Sequence, residues 1–367
     1  MRRICLKVAL LSLKSKKCWD MMTSSRHRNI CMYTPNSCER FFLMKPFESF
    51  LAKQLEAYLT YRKELGYAEN PLKPRLLAFD RYLQKQNIGW DQLQPSFFLQ
   101  LRAEISEHPN TVNEILLDTR GFFRFMVRKG ILEENPLKDI PRLPKRYFVP
   151  FVFSQQQTEA LIRTVCKNIR KSETYFLLDM AKYLAIVMLA RCGMRINEPL
   201  HLHGCHYRKD EGTVYIERTK FRKDRLIPVP KIVLAEIEGY LTARENLRAN
   251  DQNEYLLAGK GCAPLNDSNI RRAFHRAVRE MGLYRPEQVI GNVTFGAPVP
   301  HSLRHSFAIN TLNKIGARGQ SPQHALPVLA TYMGHRKYQY TGAYLKVKDA
   351  EHRMGLLEYT KSRAVVK

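Results

Sequence analysis

No two cysteines in this chain form a Cys-x-x-Cys pair. The eight present (Cys5, Cys18, Cys31, Cys38, Cys166, Cys192, Cys205 and Cys262) follow neither a disulfide framework nor a zinc-ribbon spacing, and read as reduced thiols of a cytosolic protein. No stretch reaches the ~20 apolar residues that a membrane span requires. The apolar run at 4–13 is interrupted by Lys7 and leads to no small-residue cleavage site, which argues against export. No internal repeat or low-complexity tract is found, so a repeat array is not expected. Acidic residues are scarce: 34 Asp+Glu stand against 60 Lys+Arg, a net charge of +26. That imbalance points to a polyanionic partner, most often nucleic acid. From charge alone, a ribosome-like or membrane-surface protein with solvated lysine faces remains the alternative.

What is present suits a two-domain globular chain. Its 367 residues favour two domains over one, and 44% hydrophobic with 26% charged residues is ordinary for a protein with a sizeable core. Residues 1–45 hold ten Lys/Arg and two Asp/Glu without a sustained helical period, and are expected to be a basic, disordered extension, with Met44 as an alternative start. In 46–145 apolar residues recur at spacings of three and four: Phe47, Phe50, Leu51, Leu55, Tyr58 and Leu59, then similar runs over 75–86, 95–105 and 110–129. Four to five helices follow, with Gly66 and Gly130 as stops. Pro136, Pro141, Pro144 and Pro150, with Lys145 and Arg146, mark a linker. The second domain, 150–367, opens with a helix from Ser154, then a buried helix over 174–192. A hairpin follows from the alternating run 213–217, a polar turn, and a second strand over 225–229. The remainder reads as mainly helical, so the fold class is mainly α with a small β-hairpin or sheet.

The residues that carry chemistry are few and ordered. Gly193-Met194-Arg195-Ile196-Asn197-Glu198 follows the buried helix, and an intrahelical ion pair would account for Arg195 and Glu198 taken alone. About a hundred residues on comes His301-Ser302-Leu303-Arg304-His305, then Gly334-His335, then Tyr344 nine residues after His335. His301 and His305 share a helical face, but Ser302 stands where a metalloprotease carries glutamate, and Arg304 repels a cation. His201, His203, Cys205 and His206 are ligand-type residues close together, yet no second Cys/His pair is present to close a site, so a strand or loop with exposed side chains is expected.

Taken together, these fragments resemble the tyrosine recombinase (phage integrase) family over residues 46–359. The resemblance implies a helical core-binding (SAM-like) domain at 46–145 and a mixed α/β catalytic domain of the DNA breaking-rejoining type at 150–367. It maps Arg195 and Arg304 to the two catalytic arginines, His301 to the histidine that assists Arg304, and Glu198 to the group that orients Arg195. His335 maps to the Gly-His motif and Tyr344 to the nucleophile. His305 follows in the same box without a defined role. Lys220, in Thr219-Lys220-Phe221-Arg222-Lys223, matches the proton-donating hairpin lysine, with Lys223 close by.

The implied activity is site-specific DNA recombination through a 3′-phosphotyrosyl intermediate, without metal, ATP or other cofactor. The partners implied are double-stranded DNA with inverted-repeat core sites and three further copies of the chain, in the cytoplasm on the nucleoid. The chemistry is coherent. A phenol with a reference pKa near ~10 needs positive charge nearby to lose its proton. Arginine forks neutralise phosphate oxygens as charge builds, and Lys220 or a histidine protonates the leaving 5′ oxygen. A type IB topoisomerase-like transesterase and an inactive DNA-binding relative are the alternatives. Two departures stand out: Pro199 falls where the family usually has a helix former, and residues 316–327 read as an inserted loop.

Overall fold

The computed structural model describes residues 46–67, 71–105, 108–144, 147–217, 224–248, 251–335, 341–342 and 344–345. The basic N-terminal extension and Lys220 therefore lie outside the described residues. The rest forms two compact units that meet in the chain at Tyr147 and Phe148.

The smaller unit is helical: α1 (Ala52–Glu64), α2 (Leu72–Gln86), α3 (Pro95–Glu104) and α4 (Pro109–Arg128). The three-and-four spacing places Leu55, Leu76, Phe79, Phe98, Phe122 and Phe123 wholly inside. Phe123 meets Phe98 and Phe79 edge-on, at ring separations of 5.4 and 6.1 Å. Asp80 is buried, and its carboxylate accepts the backbone N–H groups of Glu48 (3.0 Å) and Ser49 (3.1 Å), which fastens the segment leading into α1. The proline-rich stretch departs from a free linker in its first part. Leu137 and Ile140 are buried, Arg120 donates to both of their carbonyls, and Asn113 and Leu143 exchange hydrogen bonds of 2.9 and 2.8 Å. Prolines bar helix and sheet there, but side chains of α4 satisfy the backbone instead.

The larger unit is built around α6 (Glu173–Cys192), which is apolar on every side and packs against α5 (Gln155–Lys167), α8 (Lys231–Leu247), α9 (Asp267–Glu280) and α10 (Pro300–Ala317). Ser154 caps α5 by accepting the Gln157 N–H at 3.1 Å, while the Gln157 side chain accepts the Ser154 N–H at 2.9 Å. Ser306 Oγ accepts the Phe153 N–H at 2.7 Å, tying the start of the unit to α10. Between α6 and α8 lie the short α7 (Asn197–Leu200) and an antiparallel sheet of β2 (Tyr207–Arg208), β3 (Thr213–Ile216) and β4 (Arg225–Pro228), with Ile216 opposite Arg225.

Two features differ from the sequence expectation. A second sheet joins β1 (Tyr147–Val149) to β6 (Val293–Phe295) and β5 (Gln288–Ile290), where linker and helix were expected. Three-residue strands are too short to show alternation, although Gly291-Asn292 between β5 and β6 is a hairpin signal in its own right. The residues read as an inserted loop are largely helical: α10 continues to Ala317, and α11 (Pro322–Met333) follows. Pro322 opens α11, where its missing N–H is harmless, and Pro327 lies inside it. Among the described residues no helix is long and apolar enough to cross a membrane.

Candidate active site

Two helix ends frame the site. Helix α6 stops at Cys192 because Gly193 turns the chain left-handed, with φ +59°. A Cβ on Gly193 would lie 2.4 Å from the Phe307 ring, so only glycine fits. The chain then reaches Arg195 and α7, whose first turn accepts Pro199 because N–H groups there have no helical partner. Pro199 therefore kinks nothing: the long helix has already ended. Arg195 Nη1 donates to Glu198 Oε1 (2.8 Å) and its backbone N–H to Oε2 (2.8 Å), while Nη2 donates to the carbonyl of Gly334 (2.8 Å). Gly334 is the matching stop of α11, with φ +65°.

Helix α10 supplies the opposite wall. The i, i+3, i+4 spacing puts His301, Arg304 and His305 on one face. Arg304 is 1% exposed; its Nη1 donates to Gly193 O at 2.7 Å and its Nη2 to Met333 O. Both guanidinium groups are thus held by carbonyls at helix C-termini, where the helix dipole favours a cation. His301 and His305 meet edge to face at 4.6 Å. Past α11, His335 Nδ1 lies 2.7 Å from Thr341 Oγ1, and Tyr344 tucks into the apolar group of Ala308, Ile309, Leu312 and Met333, 7% exposed. Its hydroxyl lies 3.2 Å from His305 Nδ1, and its ring lies 6.2 Å from that of His335.

Charge in the site is lopsided. Burial, then Arg195, bring the Arg304 guanidinium down to about 10, which leaves it cationic at neutral pH. Burial also works to raise the Glu198 carboxyl, but hydrogen bonds and charge from Arg225, the Arg195 N–H and the Arg304 charge together hold it below the usual range. Burial raises the Tyr344 phenol, with Arg304 and Arg195 pulling the other way without overcoming it. The histidines are pushed toward neutrality. Burial, then His301, Arg304 and His335, take His305 down to about 3. Burial, then Arg304 and Arg195, take His335 to about 4, and the same causes lower His301.

These shifts have a consequence for folding. The unfolded chain takes up protons on these histidines near their ordinary ~6.5, whereas the native site refuses them. Stability is therefore fully present above about 6.5 and is lost as pH falls towards the native values. Chemical denaturation between pH 7.5 and 4.5 is expected to show that loss, with a shallower slope in His305→Gln. Identical slopes in the two proteins would contradict the burial of a neutral His305.

Residues 152–351 match the sequence profile of the phage integrase family. The chain belongs to the phage integrase family. The match contains Arg195, His301, Arg304, His335 and Tyr344, and membership places the chain among the site-specific DNA recombinases. Similar relatives include a putative integrase/recombinase y4rB of Sinorhizobium fredii, 24% identical over 83% of this chain and 97% of that one. Another is the tyrosine recombinase XerA of Pyrococcus furiosus, 24% identical over 83% and 94%. Among solved structures, lambda integrase bound as a dimer to a COC′ core site matches with a TM-score of 0.59 at 15% identity, over 80% of this chain and 76% of that one. The lambda integrase tetramer bound to a Holliday junction matches with a TM-score of 0.58 at 15% identity, over the same shares. The likeness extends to the fold: mainly helical with small sheets.

Within this family frame, the structure brings Arg195, His301, Arg304, His335 and Tyr344 together. Two further residues, without a defined role in the sequence reading, join them. His305 contacts the Tyr344 hydroxyl directly, a neighbour foreshadowed only by its place one turn after His301. Arg225 contacts Glu198, and nothing in its hairpin setting distinguished it from a solvated turn cation. In the His201–His206 stretch His201 and Cys205 are exposed as expected, while His203 and His206 are half-buried. His203 stacks on Tyr255 at 4.7 Å and His206 meets Tyr215 edge-on, because the stretch lies under β3 and the 251–258 segment. Among the described residues no group of three His, Cys, Asp or Glu is arranged to hold a metal. A cleft of about 640 Å³ opens beside Arg195, Glu198, His201, Glu217, Tyr255 and His301.

Proposed function

We propose that this chain is a site-specific DNA recombinase that cuts and rejoins duplex DNA with Tyr344 as nucleophile. The observation that carries the reading is the Tyr344 hydroxyl, buried beside neutral His305 and under the fields of Arg195 and Arg304. A phosphodiester set against Arg195, Arg304 and the Tyr344 hydroxyl would bring its non-bridging oxygens to those N–H groups of the two guanidiniums that protein acceptors leave unoccupied.

That anion supplies the negative charge the site lacks. As the phenolic oxygen bonds to phosphorus, its proton passes to His305 or water and the P–O5′ bond breaks. The leaving oxygen takes a proton from Lys220. A 3′-phosphotyrosyl linkage and a free 5′-hydroxyl result, and attack by another strand's 5′-hydroxyl reverses the step. The bond energy is retained, so no ATP is needed, and the guanidiniums neutralise the charge that a metal would neutralise elsewhere. Exchange between two duplexes calls for four copies on paired inverted-repeat core sites. In domain terms, residues 46–145 grip one side of the DNA, 150–367 carry the chemistry, and 1–45 add a basic arm.

The test is a suicide substrate nicked beside the cleavage position. The protein is expected to accumulate a denaturant-resistant adduct at the 3′ phosphate, to the same extent with and without EDTA. Cleavage lost in chelator and restored by zinc or magnesium would overturn the metal-free mechanism.

A further inference from the structure

Strand β4 opens on Arg225, a residue the reaction above does not use. Its side chain is only 9% exposed, and that of Glu198 only 8%. The two meet fork to fork: Arg225 Nη1 donates to Glu198 Oε1 at 3.1 Å and Nη2 to Oε2 at 2.9 Å. Each carboxylate oxygen is therefore shared. Oε1 also receives Arg195 Nη1 at 2.8 Å, and Oε2 receives the Arg195 N–H at 2.8 Å. Arg225 Nε donates to Tyr332 O at 2.9 Å, one turn end away from the Gly334 carbonyl that holds the other prong of Arg195. A Cβ on Gly334 would lie 2.8 Å from Arg225 Nη1. Arg225 thus underlies both supports of Arg195, and Nε and both Nη atoms of its own fork are already engaged, on Tyr332 O and Glu198.

We propose that Arg225 is a positioning residue: it locks the Glu198 carboxylate in place, so that Arg195 keeps its phosphate-binding orientation. This rests on the recombinase reading of the site. The physical reason lies in the setting of Glu198. Without Arg225 the buried carboxylate would be held by the Arg195 backbone N–H at Oε2 and, at Oε1, by the flexible arm of Arg195 alone. A second fork from a different element gives each oxygen a further donor and fixes the plane of the carboxylate. Without Arg225, burial dominates at Glu198, and its carboxyl takes up a proton at higher pH than in the unaltered protein. Protonated, it no longer accepts both Arg195 bonds. The charged and titratable groups facing Glu198 are Arg195 from the turn before α7, Arg225 from β4, and His301 and Arg304 from α10. Tyr344 and Lys220 titrate alike in both proteins, so with His301 held neutral the pH dependence that the variant adds to that of the unaltered protein belongs to Glu198.

The experiment compares the full-length protein with Arg225→Gln, Arg225→Lys, Glu198→Gln and the Arg225→Gln/Glu198→Gln double variant. Single-turnover cleavage of saturating nicked duplex is followed from pH 6 to 9, alongside DNA affinity and thermal melting. Arg225→Gln is expected to slow cleavage on the order of tenfold to a hundredfold near neutrality, with affinity changed by only a few-fold. Its rate should climb with pH more steeply than that of the unaltered protein, and Arg225→Lys should recover part of the rate. The double variant should lose that added climb and cleave no more slowly than Glu198→Gln, because both changes break one link. Wild-type cleavage by Arg225→Gln overturns the proposal. So does a loss that multiplies with Glu198→Gln and shows no added pH climb. If Arg225→Gln does not fold, Arg225→Lys carries the same comparison. No adduct from the unaltered protein would instead overturn the recombinase reading itself.

Discussion

Tyr344→Phe is expected to abolish covalent attachment to nicked DNA while leaving DNA affinity within a few-fold of the starting protein. The two residues differ by one oxygen, and that oxygen is the atom that would bond to phosphorus. The ring itself packs against Ala308, Ile309, Leu312 and Met333, contacts that phenylalanine keeps. The single interaction removed is the 3.2 Å approach to His305, so the site should keep its shape. Such separation of binding from chemistry marks a nucleophile; a merely structural tyrosine would lose both or neither. The assay is adduct formation on a denaturing gel beside an equilibrium binding titration. Tyr338 and Tyr340 lie close in sequence, outside the described residues. An adduct that survives Tyr344→Phe but vanishes in Tyr338→Phe or Tyr340→Phe would reassign the nucleophile.

The parts of this architecture that showed in the sequence are those written in local periodicity. Helices α1 to α4 follow from apolar residues three and four apart, and α6 from an apolar run too long for a strand. Glycines at 193 and 334 are punctuation visible to the eye, although their second duty is not: each turns a helix end so that a carbonyl meets an arginine. What stayed hidden depends on distance along the chain. Arg225 reaches a carboxylate 27 residues away, and from the hairpin alone it resembles a solvated charge. The contact of His305 with Tyr344 spans 39 residues. The sheet of β1, β6 and β5 joins segments more than a hundred residues apart with three-residue strands, each too brief to show a period of two. Burial decided the remaining differences. The proline-rich stretch looked like a tether because its composition bars regular structure, yet Leu137 and Ile140 give it an apolar side that α4 covers.

Arg304→Lys is expected to slow single-turnover cleavage by ~10²–10³-fold at saturating DNA, with a smaller change in affinity, as for loss of a preorganised donor to transition-state charge. The reason is a count of donors. A guanidinium carries five N–H groups in a fixed plane. Arg304 places one on Gly193 O and one on Met333 O, and those two carbonyls aim the remaining edge of the fork. A lysine ammonium has three donors on one nitrogen; satisfying both carbonyls leaves a single donor, with no second prong for a phosphate oxygen. Arg195→Lys should lose a comparable factor for the same reason, since Arg195 already serves Glu198 and Gly334. Stability should distinguish the two. Arg304 is 1% exposed and Arg195 half-buried, so Arg304→Lys should melt at lower temperature and Arg195→Lys close to the starting protein. Arg304→Ala would confuse these effects, because it strands two buried carbonyls at about 1–3 kcal/mol each. The lysine variants are therefore the ones to compare, at a temperature where both remain folded. Cleavage by Arg304→Lys within about fivefold of the starting rate would mean that a point charge suffices there, and that the two-pronged contact is not what Arg304 contributes.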